Sequence, residues 1–350
     1  MRRRGENGFT LIEVMITTLI LVIVLGAAST LFVNLMRAYK QQSKIAETSM
    51  EGLLGLEILR QDIQHAGFGL PWNGVTGTGE ASAGVNATAC NGPSVTNPPR
   101  AIGSLAGAGA FASDYLVVRA ANVGMAAACR KWTPLRLGPT TRTWGSPLED
   151  MVPSDRVIVL SPGLDNTTYR TLVTNGGVFS TTFGSLATFA PPDANQTYVV
   201  YGINDSGTLR MPFNRADYYV DTTSVPVHCA PNTGVLVKAV VQQGDGTLSQ
   251  PYPLLDCVAS VKYEYRLDTN ADGTVDLTAD ASALAGKTAD EIRVQLKEVR
   301  VFVLAHEGQR DAAYTHNAST INVAGTPVNV DVHYRWRLYA LTVQPISMRD

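Results

Sequence analysis

The order of apolar and polar positions divides the chain into three textures. From Phe9 to Met36 apolar residues run almost unbroken, with Glu13 as the one charge. From Arg37 to Ala66 the pattern turns amphipathic. Ile45, Ser49, Gly52, Leu53, Leu56, Leu59 and Ile63 recur at three-four spacing, while Lys44, Glu47, Glu51, Glu57, Arg60 and Asp62 fall largely elsewhere. No proline precedes Pro71, and Gly67, Gly69 and Pro71 form a stop. The pattern predicts one helix over residues 9–66, roughly 85 Å long at 1.5 Å per residue. Its first part, 9–36, is long enough to cross a membrane. Its second part is predicted to pack under a globular domain. Gly26, Gly52 and Gly55 are weak points, each costing about 1 kcal/mol relative to Ala.

The third texture begins after the stop. Residues 67–110 are rich in Gly, Ala, Ser, Thr and Asn and read as a long loop region, anchored at Cys90. The remainder, 111–350, reads as a β-rich head. Tyr115–Arg119, Val157–Leu160, Tyr198–Ile203, Val235–Val241, Val258–Leu267, Val299–Ala305 and Val330–Val343 are rich in Val, Tyr and Leu and are punctuated by Gly, Pro, Asn and Asp. Val261, Tyr263, Tyr265 and Leu267 alternate with Lys262, Glu264 and Arg266, the mark of a half-buried antiparallel strand. A short helix is predicted from Thr288 to about Gln295. The expected fold class is α+β, a long N-terminal helix followed by a large antiparallel head.

The first residues change this picture most. Arg2, Arg3 and Arg4 precede Gly8-Phe9-Thr10-Leu11-Ile12-Glu13. A secretory signal would have a shorter apolar core and a small-residue cleavage site after it, and neither is present. A plain membrane anchor accounts for the length but not for Glu13, since a charge at membrane depth costs about 2.5 kcal/mol or more. The hexapeptide at this place resembles the processing site of a type IV prepilin. The resemblance implies that a prepilin peptidase cuts between Gly8 and Phe9, removing leader 1–8, and methylates the new amino group of Phe9. Gly8 would let an extended chain enter the protease cleft, and the arginines would hold the leader in the cytoplasm. Glu13 would lie among lipid tails with no partner in its own chain until the amino terminus of a neighbouring subunit arrived. This places the chain in the inner membrane, N-terminus cytoplasmic and head periplasmic, before it joins a surface pilus.

Composition narrows the alternatives. The 350 residues carry a net charge of −2 and are 45% hydrophobic, so a general nucleic-acid surface is not expected. Four cysteines, Cys90, Cys129, Cys229 and Cys257, suit an oxidising compartment. Three pairings are open; closeness in sequence favours Cys90 with Cys129 and Cys229 with Cys257. No zinc spacing is present.

In the head, Asp268, Asn270, Asp272 and Asp276 with Gly273 place oxygen ligands at first, third, fifth and ninth positions, which suits Ca2+. The twelfth-position Glu is replaced by Ala279. A polar hairpin turn explains the same residues. His65, His228, His306, His316 and His333 are scattered and read as surface or satisfied groups. No nucleophile elbow, phosphate loop or zinc-helix motif occurs, so catalysis is not expected. Tyr334, Arg335, Trp336, Arg337 and Tyr339 form an aromatic-basic stripe whose neighbours alternate between faces, which argues against nucleic-acid binding there.

Leu59-Arg60-Gln61-Asp62-Ile63 followed by Ala66-Gly67-Phe68, the strand Val261 to Asp268, and Val299 to Ala305 resemble PilW-type minor pilins. The resemblance implies a minor pilin that primes or caps type IV pilus assembly with other minor and major pilins and a tip adhesin. A J-type pseudopilin of a type II secretion system shares the N-terminus. A membrane-tethered periplasmic binding protein or enzyme would instead keep its leader.

Overall fold

The computed structural model describes residues 9–73, 80–92, 98–162 and 170–348. Helix α1 (Leu11–Gln64) spans 54 residues, about 81 Å at 1.5 Å per residue. Gly67 and Gly69 end it with positive φ angles of 85° and 63°, a backbone region open to residues lacking a Cβ.

The segment expected to be loop holds a short helix, α2 (Val85–Ala89), and a strand, β1 (Ile102–Leu105). After β2 (Tyr115–Ala120) come β3 (Trp132–Arg136), β4 (Thr140–Thr141), β5 (Arg156–Ser161), β6 (Thr171–Leu172), β7 (Thr181–Thr182) and β8 (Tyr198–Asn204). The chain continues with β9 (Asn214–Asp221), β10 (Gly234–Val240), β11 (Tyr252–Leu267) and β12 (Leu277–Asp280). Helix α3 (Ala289–Gln295), capped by Thr288 and Glu291, leads into β13 (Leu296–Glu307). The hairpin β14 (Thr320–Val323) and β15 (Thr326–Asn329) precedes β16 (Arg335–Val343). Only the last part of the strand expected over Val330–Val343 is therefore β16.

The main sheet has eight strands in the order β1-β2-β9-β10-β11-β13-β16, with β12 beside β11, and its pairings are antiparallel. A six-stranded sheet, β4-β3-β8-β5-β6 with β7 beside β5, is inserted between β2 and β9. The architecture is α+β, a long helix with a large antiparallel head.

The second half of α1 lies on the main sheet. Leu56, Leu59 and Ile63 are buried in the same core cluster as Leu254, Val261, Tyr263 and Val301. Full burial of each aliphatic side chain contributes about 1.5–3 kcal/mol. Leu53, expected on this face, is exposed. Gly52 and Gly55 take its place in the contact. A Cβ on Gly55 would stand 1.8 Å from the Leu254 carbonyl oxygen, and one on Gly52 would stand 2.6 Å from Leu255 Cδ1. The side chains of Ile45 and Ser49 lie outside those described.

Strand β9 escapes the apolar pattern because three of its buried residues are polar or charged. Asn214, Arg215 and Asp217 are all buried. Arg215 bridges to Asp217 at 2.7 Å and to Glu80 at 2.8 Å; Arg119 reaches Glu80 at 2.6 Å. The Tyr115 hydroxyl donates to Asp217 at 2.7 Å. Two guanidiniums thus face two carboxylates, the pairing that a buried charge needs. Burial alone would raise the Glu80 carboxyl, but Arg119 and Arg215 hold it below the ordinary value. This network fastens the 80–92 segment to the outer face of β2 and β9.

Candidate functional site

The N-terminal end of α1 is built by local chemistry. Thr10 is the N-cap; its backbone N–H and its hydroxyl each donate to Glu13 Oε2 at 2.9 Å. The Glu13 N–H returns a bond to Thr10 Oγ1 at 3.4 Å. This reciprocal pair is a capping box. It corrects the expectation that Glu13 has no partner within its own chain. The signal was present in the sequence as Thr10-x-x-Glu13. Both bonds fall on Oε2, so Oε1 keeps its lone pairs for another donor.

Phe9, at the processing point, is 87% exposed. Gly8 and the arginine-bearing leader lie outside the described residues. From Leu11 to Met36 the helix has a mean hydropathy of 2.6, and none of it is buried by the rest of the chain. An apolar helix with no polar face is stable in water only when other surfaces or lipid cover it. The end of this rod therefore presents one carboxylate and one exposed phenylalanine in otherwise apolar surroundings.

The junction with the head fixes how the rod is presented. Asp62 accepts from Lys238 at 2.5 Å and from the Tyr218 hydroxyl, so the helix is pinned to β10 and β9 by a largely buried charge pair. One turn earlier, Glu57 and Arg60 pair along the exposed side. Ile346 N–H bonds the Gln64 carbonyl at 3.0 Å, closing the last turn of the helix from below.

The cysteines divide. Cys229 and Cys257 form a disulfide that ties the β9–β10 connection to β11. Cys90 and Cys129 are free and buried, contrary to the pairing that sequence proximity favours. The sheet itself keeps them apart. Cys90 packs with Tyr115 and Val117 on the outer face, whereas Cys129 Sγ contacts the Asn214 amide at 3.1 Å. Asn214 and Arg215 are adjacent on one strand and point to opposite faces. Burial pushes the Cys90 thiol up to about 11 and the Cys129 thiol up to about 12.

The acidic loop at 268–276 does not gather its oxygens about one centre. Asp268 is buried and pairs with Lys297 at 3.0 Å, accepting also from the N–H groups of Asp272 and Gly273. Asp276 accepts from Thr269 and Asn270, and Asp272 accepts from Thr274. Each carboxylate accepts bonds within its own turn, and the Lys297 ammonium stands beside Asp268. The polar hairpin turn is the reading this geometry fits. Among the described residues, His228, Cys229 and Cys257 bring three ligand atoms together, but both sulfurs belong to the disulfide.

The aromatic-basic stripe is likewise structural. Arg335 pairs with Asp311 at 2.9 Å and Arg337 with Glu307 at 3.0 Å. Tyr334 and Trp336 pack on His306, with ring centroids 4.4 and 5.1 Å away. His306 is not the satisfied group expected of it. Its Nε2 accepts the Ala230 N–H at 2.9 Å, while the buried Nδ1 has no partner. Burial, with a smaller push from His228, brings it down to about 4.

A membrane-length apolar rod joined to a β head, with Phe9 and Glu13 at its tip, defines a class of membrane-anchored rod-and-head proteins. The prokaryotic N-terminal methylation motif matches residues 3–29, the stretch that contains Gly8, Phe9 and Glu13. The motif supports a type IV pilin-like or pseudopilin-like protein, and it implies processing by a prepilin peptidase and association with other pilins. No curated protein and no solved structure matches it.

Proposed function

We propose that this chain is a minor pilin that primes or caps type IV pilus assembly within a complex of minor pilins. The observation that carries this reading is the bare rod. Residues 11–36 have no cover in their own chain and end at Glu13, whose Oε1 is left open. In this reading the rod first waits in the inner membrane with the head in the periplasm. Cleavage after Gly8 then creates a positive amino group on Phe9. The amine of a neighbouring subunit meets Glu13 at the level of the lipid tails, and rod-on-rod packing covers the apolar surface. An ion pair made at that depth sets the register, because misregister leaves a charge without its partner. The head has no catalytic duty in this scheme and requires no metal.

Glu13→Ala tests the scheme directly. Membrane insertion should be retained, whereas incorporation into fibres, measured by immunoblot of sheared pili, should fall by about tenfold or more, as loss of a buried charge partner predicts. Wild-type incorporation of the variant would contradict the proposal.

A further inference from the structure

The corner that carries the disulfide has a second chemistry. A disulfide starts as two thiols, so the newly made head passes through a state in which Cys229 and Cys257 are both reduced. In the finished fold the two sulfurs and one ring nitrogen of His228 lie within 4.8 Å of one another. The Cα atoms of the cysteines are 5.0 Å apart. At a tetrahedral zinc ion, bonds of about 2.3 Å set two sulfurs about 3.8 Å apart. Side-chain rotation meets that spacing from these Cα positions without moving a strand.

Bonds other than the disulfide hold this corner. The Cys229 N–H donates to the Pro226 carbonyl at 3.0 Å, which closes the turn bearing His228. Ala230 donates its N–H to His306 Nε2 at 2.9 Å, and its carbonyl accepts from the Thr233 hydroxyl at 2.6 Å. Across from this turn, Cys257 sits in β11 beside Val258, which pairs with both Gly234 and Ala305. Cys257 takes a φ of 56°, a left-handed conformation uncommon for a residue with a Cβ and of the kind that collects at ligand-holding positions. Sheet and turn thus place the three ligand atoms before any S–S bond closes. Val227, next to His228, is fully exposed, so an ion has an open path to the turn.

Two thiolates and a neutral imidazole favour zinc over the hard cations, which take oxygen ligands. We infer that the reduced head binds one Zn2+ through Cys229 Sγ, Cys257 Sγ and a His228 ring nitrogen, with water in the fourth position. The ion holds the corner until the disulfide replaces it. Binding displaces one proton from each thiol. Closure then passes two electrons from the thiolates to an incoming disulfide oxidant, which leaves as a dithiol carrying two protons. The S–S bond forms and Zn2+ departs. Cys90 and Cys129 are buried elsewhere in the head and take no part. The inference does not depend on how the rod assembles.

The test uses the full-length protein in detergent, reduced with a phosphine and freed of metal. Zn2+ should bind at about one ion per chain and release about two protons. Co2+ in its place should give thiolate-to-cobalt absorption in the near ultraviolet, and the oxidised protein should show neither response. Cys229→Ser combined with Cys257→Ser should abolish binding, and His228→Ala should weaken it by about tenfold or more. Bound Zn2+ should slow reoxidation by oxidised glutathione at least about tenfold, because the thiolates are engaged. No Zn2+ uptake by the reduced protein would overturn the inference. So would equal uptake by the double serine variant, or undiminished affinity in His228→Ala. Where reduction alters the far-ultraviolet circular dichroism, Zn2+ must restore it in the wild type and not in the double serine variant; any other result overturns the inference as well.

Discussion

The two halves of helix α1 obey opposite rules, and their glycines show it most plainly. In the membrane half, a Cβ added at Gly26 meets nothing within 4 Å; in the head half, one added at Gly55 meets a backbone carbonyl at 1.8 Å. The same residue type is incidental in one place and obligatory in the other. The first half leaves its surface for molecules outside the chain, whereas the second half draws so close to β11 that a side chain has no room. Rod and head are thus stabilised separately: lipid or neighbouring rods cover one, and the chain's own sheet covers the other.

The largest expected effect breaks the close contact. Gly55→Leu should destabilise the head by more than about 3 kcal/mol, since the strand backbone cannot move aside. Gly52→Ala should cost less, because the atom it meets belongs to a side chain. Gly26→Ala should leave the melting temperature of the detergent-solubilised protein unchanged. Equal melting temperatures for all three variants would remove the distinction between the halves.

An intermediate effect concerns the head alone. His306 is neutral in the fold and is held down to about 4, whereas its ordinary value is 6.5. Below that ordinary value the unfolded chain takes up a proton that the folded chain refuses. Stability should therefore fall by about 1.4 kcal/mol per pH unit as pH drops from 6.5 toward 4. His306→Gln should flatten this slope in urea titrations at a series of pH values. The smallest effect is a rate. With Cys90 and Cys129 pushed up to about 11 and about 12, neither should react with iodoacetamide at neutral pH until the head is unfolded. Prompt labelling in the native state would show that the sheet does not seal them.

Much of the rod was legible, because membrane-length apolarity and the three-four spacing are local signals. Helix α3 was legible too, as a short helix from Thr288 to about Gln295, although its Thr288–Glu291 capping box was not read. Strand β9 was not, since its Arg215 and Asp217 look like solvent-facing charges until Glu80, far off in sequence, supplies their partner. The 67–110 stretch hid a helix and a strand because small residues pack well but carry no periodic signal. At the candidate site, Phe9 and Glu13 were legible from the hexapeptide, but the Thr10 cap was overlooked. The acidic loop looked like a cation site because the residues that close turns are those that bind calcium. Spacing alone cannot tell inward-turned oxygens from self-satisfied ones.

The second sheet leaves the main sheet at Ala120 and returns at Asn214, and these two residues are direct cross-strand partners. Exit and re-entry are therefore side by side, like the two ends of a hairpin. A module attached in this way can be lengthened, exchanged or trimmed to a tight turn without rethreading any strand of the scaffold. What the inserted module touches is free to diverge while the sheet that carries it stays constant.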